Sequence, residues 1–531
     1  MGKAEYDMKV YQGSILSVNR NNEVFRYLVE HRGKILYVGN ELPEKYRKAE
    51  TVDLGNRALI PPFVDTHQHF ASFSAFNAGL NVMDAESNEE ILRMIDAFAS
   101  ASASKTLIAF GASPYSVQDG HLVSREELDR VTYGKPLFLV KYDGHACIVN
   151  TALLRKLPKK IRKLRGYHPE SGEMNQEAFF AVSDYITSSL STVELIGNMQ
   201  KAADFEAARG IGMIHTVSGV GFAMNLDISM ESWFARSLQS GLQLRVFPQS
   251  LNPKVAVLRG LPRIGGCFAC ALDGCFGSQD AAMNAPYTND PANSGVLYYT
   301  DEQVTEFCKK ANRLGLQIEM HAIGDRAFDQ AARALKAALD DCPRDDHRHG
   351  IIHACLPTEE GMAICAEYRI QLPMQIAFDR WRQEPPEYTE ALLGKERNAA
   401  LNPVRSFLEC GCTVSFGSDA PCTCPDPIVW LDKAVNHSNP AQRVSIQDAL
   451  RMATYNGYWA SFDEKERGSL EAGKIADMVI LSGNPYTTAP EQLGSLKVET
   501  LLLGGKEYRP QSQSVAAAAL RGMLRKHRSR A

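Results

Sequence analysis

Leu59-Ile60-Pro61-Pro62-Phe63-Val64-Asp65-Thr66-His67-Gln68-His69 decides how the rest of this chain is read. An apolar run ends in two histidines one residue apart. On a β-strand, residues i and i+2 face the same side. Both imidazoles can therefore reach one cation, at about 2.0–2.1 Å if it is zinc. Two surface histidines are the competing reading, and the apolar strand before them favours a ligand pair. Two further histidines also close apolar runs: His321 in Leu316-Gln317-Ile318-Glu319-Met320-His321, and His353 in Gly350-Ile351-Ile352-His353. Alone, each reads as a buried core histidine. Together, one strand-plus-helix unit apart, they read as successive strands delivering ligands to a common rim. Asp419 ends another such run, Phe416-Gly417-Ser418-Asp419. A carboxylate there can ligate the ion and accept a proton from water that the ion acidifies. It can then protonate a leaving amine. The competing reading is a turn aspartate before Pro421. His67, His69, His321, His353 and Asp419 are thus the candidate metal ligands, and Asp419 is also the candidate catalytic carboxylate.

Outward from these residues, strand-like apolar runs alternate with helical patterns. Examples are Leu137-Phe138-Leu139-Val140, Gly212-Met213-Ile214-His215-Thr216-Val217 and Leu244-Arg245-Val246-Phe247. Strands buried on both faces read as continuous apolar runs. Their repetition predicts a (β/α)₈ barrel over 61–466, whose active site lies at the C-terminal ends of the strands. The stretch 75–200 is too long for one unit and reads as an insertion. Short glycine-punctuated strands in 1–60 and 467–510 predict a small composite β-sandwich made from both chain ends. The Ala- and Arg-rich tail 511–531 reads as a C-terminal surface helix.

With 531 residues, 44% hydrophobic and 23% charged, the chain has the composition of a globular enzyme. The net charge of −4 offers no basic field for nucleic acid. No apolar run reaches the roughly 18 residues of a membrane span, so no membrane association is expected. The polar, acid-bearing start does not read as a leader, and the twelve cysteines are irregularly spaced. Reduced thiols in a cytoplasm are the expectation. The expected partner is a small-molecule substrate; a homodimer stays open.

At these residues the sequence resembles the amidohydrolase superfamily, in the branch that includes N-substituted formamide deformylases. Besides the His-x-His opening, the resemblance rests on Asp143-Gly144-His145 with Asn150, His321-Ala322-Ile323-Gly324-Asp325-Arg326-Ala327, Ile352-His353-Ala354, Gly417-Ser418-Asp419-Ala420-Pro421, and 468–481. It implies a divalent metal, zinc by expectation, and hydrolysis of a non-peptide, amide-type carbon–nitrogen bond through metal-activated water. By it, His145 lines the pocket and polarises a carbonyl, and His145 or His353 stabilises the oxyanion. Asp325 and Arg326 would support His321, and Gln375 would touch substrate. Two other chemistries use the same rim: deamination of a heterocycle, and a non-hydrolytic lyase or decarboxylase reaction. The deaminase pattern needs a glutamate three residues after His321, where this chain has Gly324. A metal-binding protein without catalysis is a further alternative, against which Asp419 argues.

One departure stands out. Members of the branch often carry a lysine, carboxylated to bridge two metals, four residues before an Asp-Gly. Counting back from Asp273-Gly274 lands on Ala269. Without a bridging anion two cations repel, so one ion is expected, held by His67, His69, His321 and Asp419. Two substitutes for the bridge remain: a thiolate from Cys267 or Cys270, or a carboxylated Lys141. Elsewhere, His347-Arg348-His349 is a second His-x-His; following Pro343-Arg344-Asp345-Asp346, it reads as a solvated surface pair. His215 reads as a buried structural histidine, and Trp381 as a pocket-mouth residue.

Overall fold

The computed structural model describes residues 8–510 together with Ala517, Arg521 and Gly522. The surface helix expected over 511–531 otherwise lies outside the described residues.

Eight strands carry the architecture: β1 (Phe63–Gln68), β2 (Ile211–Ser218), β3 (Gln243–Pro248), β4 (Arg263–Gly266), β5 (Gln317–Ala322), β6 (Gly350–His353), β7 (Leu372–Met374) and β8 (Val414–Phe416). β2 pairs in parallel with both β1 and β3. β5 does the same with β4 and β6, and β7 pairs in parallel with β8. Close contacts join β3 to β4 and β6 to β7, and β8 returns to touch β1. The strands are short and almost wholly buried, as sequences without an exposed face should be.

Helices follow the strands and cover them. Asp301–Arg313 starts on a capping box between Thr300 and Gln303, which satisfies two of the amides left free at a helix start. It buries Val304, Phe307, Cys308 and Ala311 and keeps Lys310 and Arg313 in its last turn, where the helix dipole favours cations. Asp325–Asp341 presents an alanine-rich face that lets it sit close to its neighbours, and it buries Phe328 and Leu335. Each of those two side chains contributes about 1.5–3 kcal/mol by leaving water.

The first and last strands among the described residues join one seven-stranded sheet. Met8–Leu16 pairs in parallel with Glu50–Ile60, which pairs antiparallel with Met478–Leu481. Tyr11, Ile15, Leu28, Leu59 and Met478 form a core of its own. The long stretch between β1 and β2 folds a six-stranded sheet that includes Leu107–Ala112, Leu137–Lys141 and Ala146–Val149, with two small cores. All twelve cysteines are free. No helix among the described residues is long and apolar enough to cross a membrane.

Candidate metal centre

β1 ends at Gln68, and His69 caps the helix Phe70–Asn77. Asp65, fully buried two residues before His67, ties this strand end to the end of β8. It accepts hydrogen bonds from the Ser418 amide at 2.9 Å, from Ser418 Oγ, and from Gln68 Nε2 at 3.2 Å. The Asp419 amide donates to the His67 carbonyl at 2.8 Å. The close approach requires Gly417, because a Cβ there would lie 2.6 Å from the His67 nitrogen. These contacts bring Asp419 Oδ1 to 3.2 Å from His67 Nε2 and 3.3 Å from His69 Nε2.

His321 and His353 close β5 and β6 beside them. The His321 and His353 rings are 4.4 Å apart, and His353 lies 5.3 Å from His67. His321 Nε2 lies 3.1 Å from the Gly274 carbonyl and 3.5 Å from Asp273 Oδ1. These acceptors place the proton on Nε2 and leave Nδ1 with a lone pair, the tautomer a ligand needs. Asp273 is itself fixed by the amides of Ala282, Ile323 and Gly324 at 2.8–3.0 Å. The support expected from Asp325 comes from Asp273 instead. Asp325 accepts from the Asn284 and Arg326 amides at the head of its helix.

Three residues of the centre hold left-handed backbone: Phe268 at φ 43°, His353 at 71° and Asp419 at 56°. Such conformations in bulky residues cost energy and concentrate at functional sites.

The protonation states suit a cation. Burial holds the His67 and His353 imidazoles below their ordinary range, so both are neutral at pH 7. Burial alone would raise Asp419, but hydrogen bonds from His67 and His69 outweigh it and hold the carboxyl well below its usual range. The buried Nδ1 of His321, the atom left with its lone pair, has no hydrogen-bond partner among the described residues. Buried polar atoms left this way are costly unless something else satisfies them. Several imidazoles around one carboxylate are a donor set that fits a divalent metal.

The position opposite the two histidine pairs belongs to Cys267. Its Sγ lies 3.2 Å from His67 Nε2 and 3.5 Å from His353 Nε2. Ala269, reached by counting, sits instead in a single 3₁₀ turn over Phe268–Cys270. Lys141 Nζ lies 3.6 Å from Asp143 Oδ2, an ion pair on the inserted sheet.

With this geometry in view, comparison with known proteins is direct. The profile of the Amidohydrolase family matches residues 50–508. The chain belongs to the amidohydrolase family. YtcJ of Bacillus subtilis strain 168 is 23% identical over 492 residues, covering 88% of this chain and 92% of its own. The N-substituted formamide deformylase of Arthrobacter pascens is 22% identical, covering 93% and 96%. A metal-dependent hydrolase of Pyrococcus horikoshii superposes with a TM-score of 0.73 at 22% identity, over 91% of this chain and 99% of that one. The protein is therefore a hydrolase acting on carbon–nitrogen bonds.

In this amidohydrolase the centre opens into a cavity of about 520 Å³. The inserted sheet supplies Asp143 and His145, and the loop after β7 supplies Phe378, Trp381 and Glu384. The His145 ring packs 5.3 Å from Phe268, which in turn lies 4.9 Å from His69. Trp381 packs tilted against Phe378 and edge-on to Tyr142, as a cavity-wall residue. Glu384 accepts from the Tyr142 hydroxyl at 3.0 Å, and loss of hydration pushes its carboxyl up to about 7. Gln375, read from sequence as a substrate contact, is buried and donates from Nε2 to the Pro373 carbonyl at 3.2 Å.

Sequence reasoning missed Asp65, Asp273 and Glu384. The first two lay inside motifs already quoted, but nothing local marks a carboxylate as an anchor for backbone amides contributed from far along the chain. His347 and His349, read as solvated, are 4% and 0% exposed. His215 is buried, as expected.

Proposed function

We propose that this amidohydrolase cleaves a non-peptide, amide-type carbon–nitrogen bond in a small molecule. In this reading 61–466 form a (β/α)₈ barrel with an insertion over about 75–200, and 1–60 with 467–510 form the composite β domain. His67, His69, His321, His353 and Asp419 hold the divalent metal, and the nitrogen-rich set favours zinc. The observation that carries the reading is the position of Asp419: one carboxylate oxygen lies 3.2 and 3.3 Å from two imidazoles at the wall of the large cavity.

When bound, the metal supplies Lewis acidity, lowering the pKa of water and polarising a carbonyl. Asp419, held as a carboxylate, accepts the proton of the attacking water and passes it to the leaving nitrogen. His145, across the cavity, donates a hydrogen bond to the oxygen that becomes negative, and His353 is the second candidate for that role. The aromatic wall of Phe268, Phe378 and Trp381 keeps bulk water away from the reacting carbonyl. A cavity of this size suits a small ligand. Relatedness to an N-substituted formamide deformylase makes formamides and other secondary amides with an apolar N-substituent the first compounds to test.

The deaminase reading lacks its glutamate for a packing reason. A Cβ at Gly324 would lie 2.2 Å from the Ala282 carbonyl, so no side chain fits there.

The test is a panel of N-substituted formamides and small amides, assayed with metal-loaded enzyme and with Asp419→Asn. The wild type should release amine from at least one compound. The variant should lose turnover while keeping zinc by elemental analysis. Turnover retained in Asp419→Asn, or no amide cleaved across the panel, overturns the reading.

A further inference from the structure

We infer that Cys267 is the bridging ligand of a two-ion centre, with its thiolate taking the place of the carboxylated lysine. The inference rests on the hydrolase reading above and adds the ligand that reading lacked.

The geometry carries it. The ligand atoms of His67, His69 and Cys267 lie within 4.8 Å of one another, and so do those of Cys267, His321 and His353. The two triads share only the sulfur. Asp419 forms a third such group with His67 and His353, one histidine from each side. This is the layout of two adjacent cation sites with a common vertex. Zinc–sulfur bonds of about 2.3 Å let one thiolate reach two ions at the roughly 3.5–4 Å separation of paired hydrolytic metals. A shared anion also screens the repulsion between the cations, the difficulty that argued for a single ion.

The position is equally telling. Cys267 directly follows β4, the strand between the one that carries His215 and its neighbour β3 on one side and the one that carries His321 on the other. After it the chain makes the Phe268–Cys270 turn, with Phe268 left-handed, before reaching Asp273. That turn lengthens the path from the strand end to the Asp-Gly pair. Counting back four residues therefore falls inside the turn, on Ala269, and misses the residue at the strand end. Cys270 is buried in the turn and belongs to neither triad. Cys267 is 4% exposed, and it lines the cavity into which the centre opens. As the two ions bind, the thiol releases its proton to solvent and forms two sulfur–metal bonds, with no change in oxidation state.

The experiment reconstitutes the full-length chelated protein with Co²⁺ alone. Elemental analysis should find two cobalt ions per chain, and the near-ultraviolet spectrum should show a thiolate-to-cobalt charge-transfer band. The ions should also be magnetically coupled in the wild type, a readout that needs no variant. Cys267→Ser and Cys267→Ala should lose the band and one of the two equivalents, while Cys270→Ala keeps both. A single ion without a thiolate band, or a band that survives in Cys267→Ala, overturns the bridge. If the wild type still cleaves amides with one ion and no band, the bridge alone has failed. If Asp419→Asn keeps turnover, the hydrolase reading itself has failed.

Discussion

The chain uses the His-x-His pattern twice, at the C-terminal end of β1 and just before the N-terminal end of β6, and the two pairs share little beyond spacing and burial. His67 and His69 follow from β1 at its C-terminal end; their Nε2 atoms converge on Asp419 Oδ1, and Cys267 Sγ lies beside His67. His347 and His349 precede β6 at its N-terminal end. There, every ring nitrogen is spent on the fold. His347 Nε2 lies 2.8 Å from the Tyr368 carbonyl, and its Nδ1 accepts from the His349 amide at 2.9 Å. His349 Nδ1 accepts from the Ile318 amide at 3.1 Å, and Nε2 lies 3.1 Å from Asn312 Oδ1. Burial is equal at the two ends, so burial does not separate a ligand from a strut. What separates them is whether lone pairs are left over and whether a carboxylate faces them. The largest expected effect tests that contrast directly. Asp419→Asn should lower turnover by about 10²–10⁴-fold, the usual range for losing a general base. An alanine at His349 should leave metal content and KM unchanged. Comparable catalytic losses in both variants would erase the distinction.

The second prediction concerns how the upper histidines are held. Asp273 gathers three backbone amides and orients His321, so Asp273→Ala should weaken metal affinity by about 10–100-fold. Competition with a chelator measures it. Affinity unchanged within threefold would mean that the Gly274 carbonyl alone sets the ring.

The upper end was largely legible in the sequence because its signal is local. Alternation along a strand puts His67 and His69 on one face, and His321, His353 and Asp419 each close a short apolar run. The structure brings all five together. The inserted stretch was legible only as a length anomaly, and that it forms its own sheet carrying His145 was not. The reading of His347 and His349 as solvated failed for a tertiary reason. They follow a polar segment, and what buries them is Asn312, Ile318 and Tyr368, which no local pattern connects to them.

At the lower end, the third prediction is a stability cost without a catalytic one. His349→Ala removes the acceptor of the buried Ile318 amide, which should cost about 1–3 kcal/mol. His349 and His353 sit at opposite ends of β6, about 13 Å apart at the rise of an extended strand. The thermal shift produced by chelating the metal should therefore be the same in His349→Ala as in wild type. A chelation shift that shrinks in the variant would show that the two ends are coupled.

The smallest expected effect is in the pH dependence, and it follows from the same satisfied nitrogens. Burial holds the His349 imidazole neutral, with its pKa well below the ordinary 6.5. Below about pH 6.5 the unfolded chain takes up a proton there that the folded chain refuses. The unfolded state then binds more protons, so this residue's contribution is present above pH 6.5 and is lost as the pH falls. One proton sets a slope of at most about 1.4 kcal/mol per pH unit. His67 and His353 are also held neutral by burial and act with the same sign, so a single melting curve against pH cannot isolate the lower pair. The difference between wild type and His349→Ala can, because the upper histidines contribute equally to both. That difference should be constant above pH 7 and narrow between pH 6.5 and 5, as the variant no longer carries a histidine that must stay neutral. A difference that widens on acidification would mean that His349 is protonated in the fold, with Asn312 as acceptor, and that the lower pair is held by charge rather than by spent lone pairs.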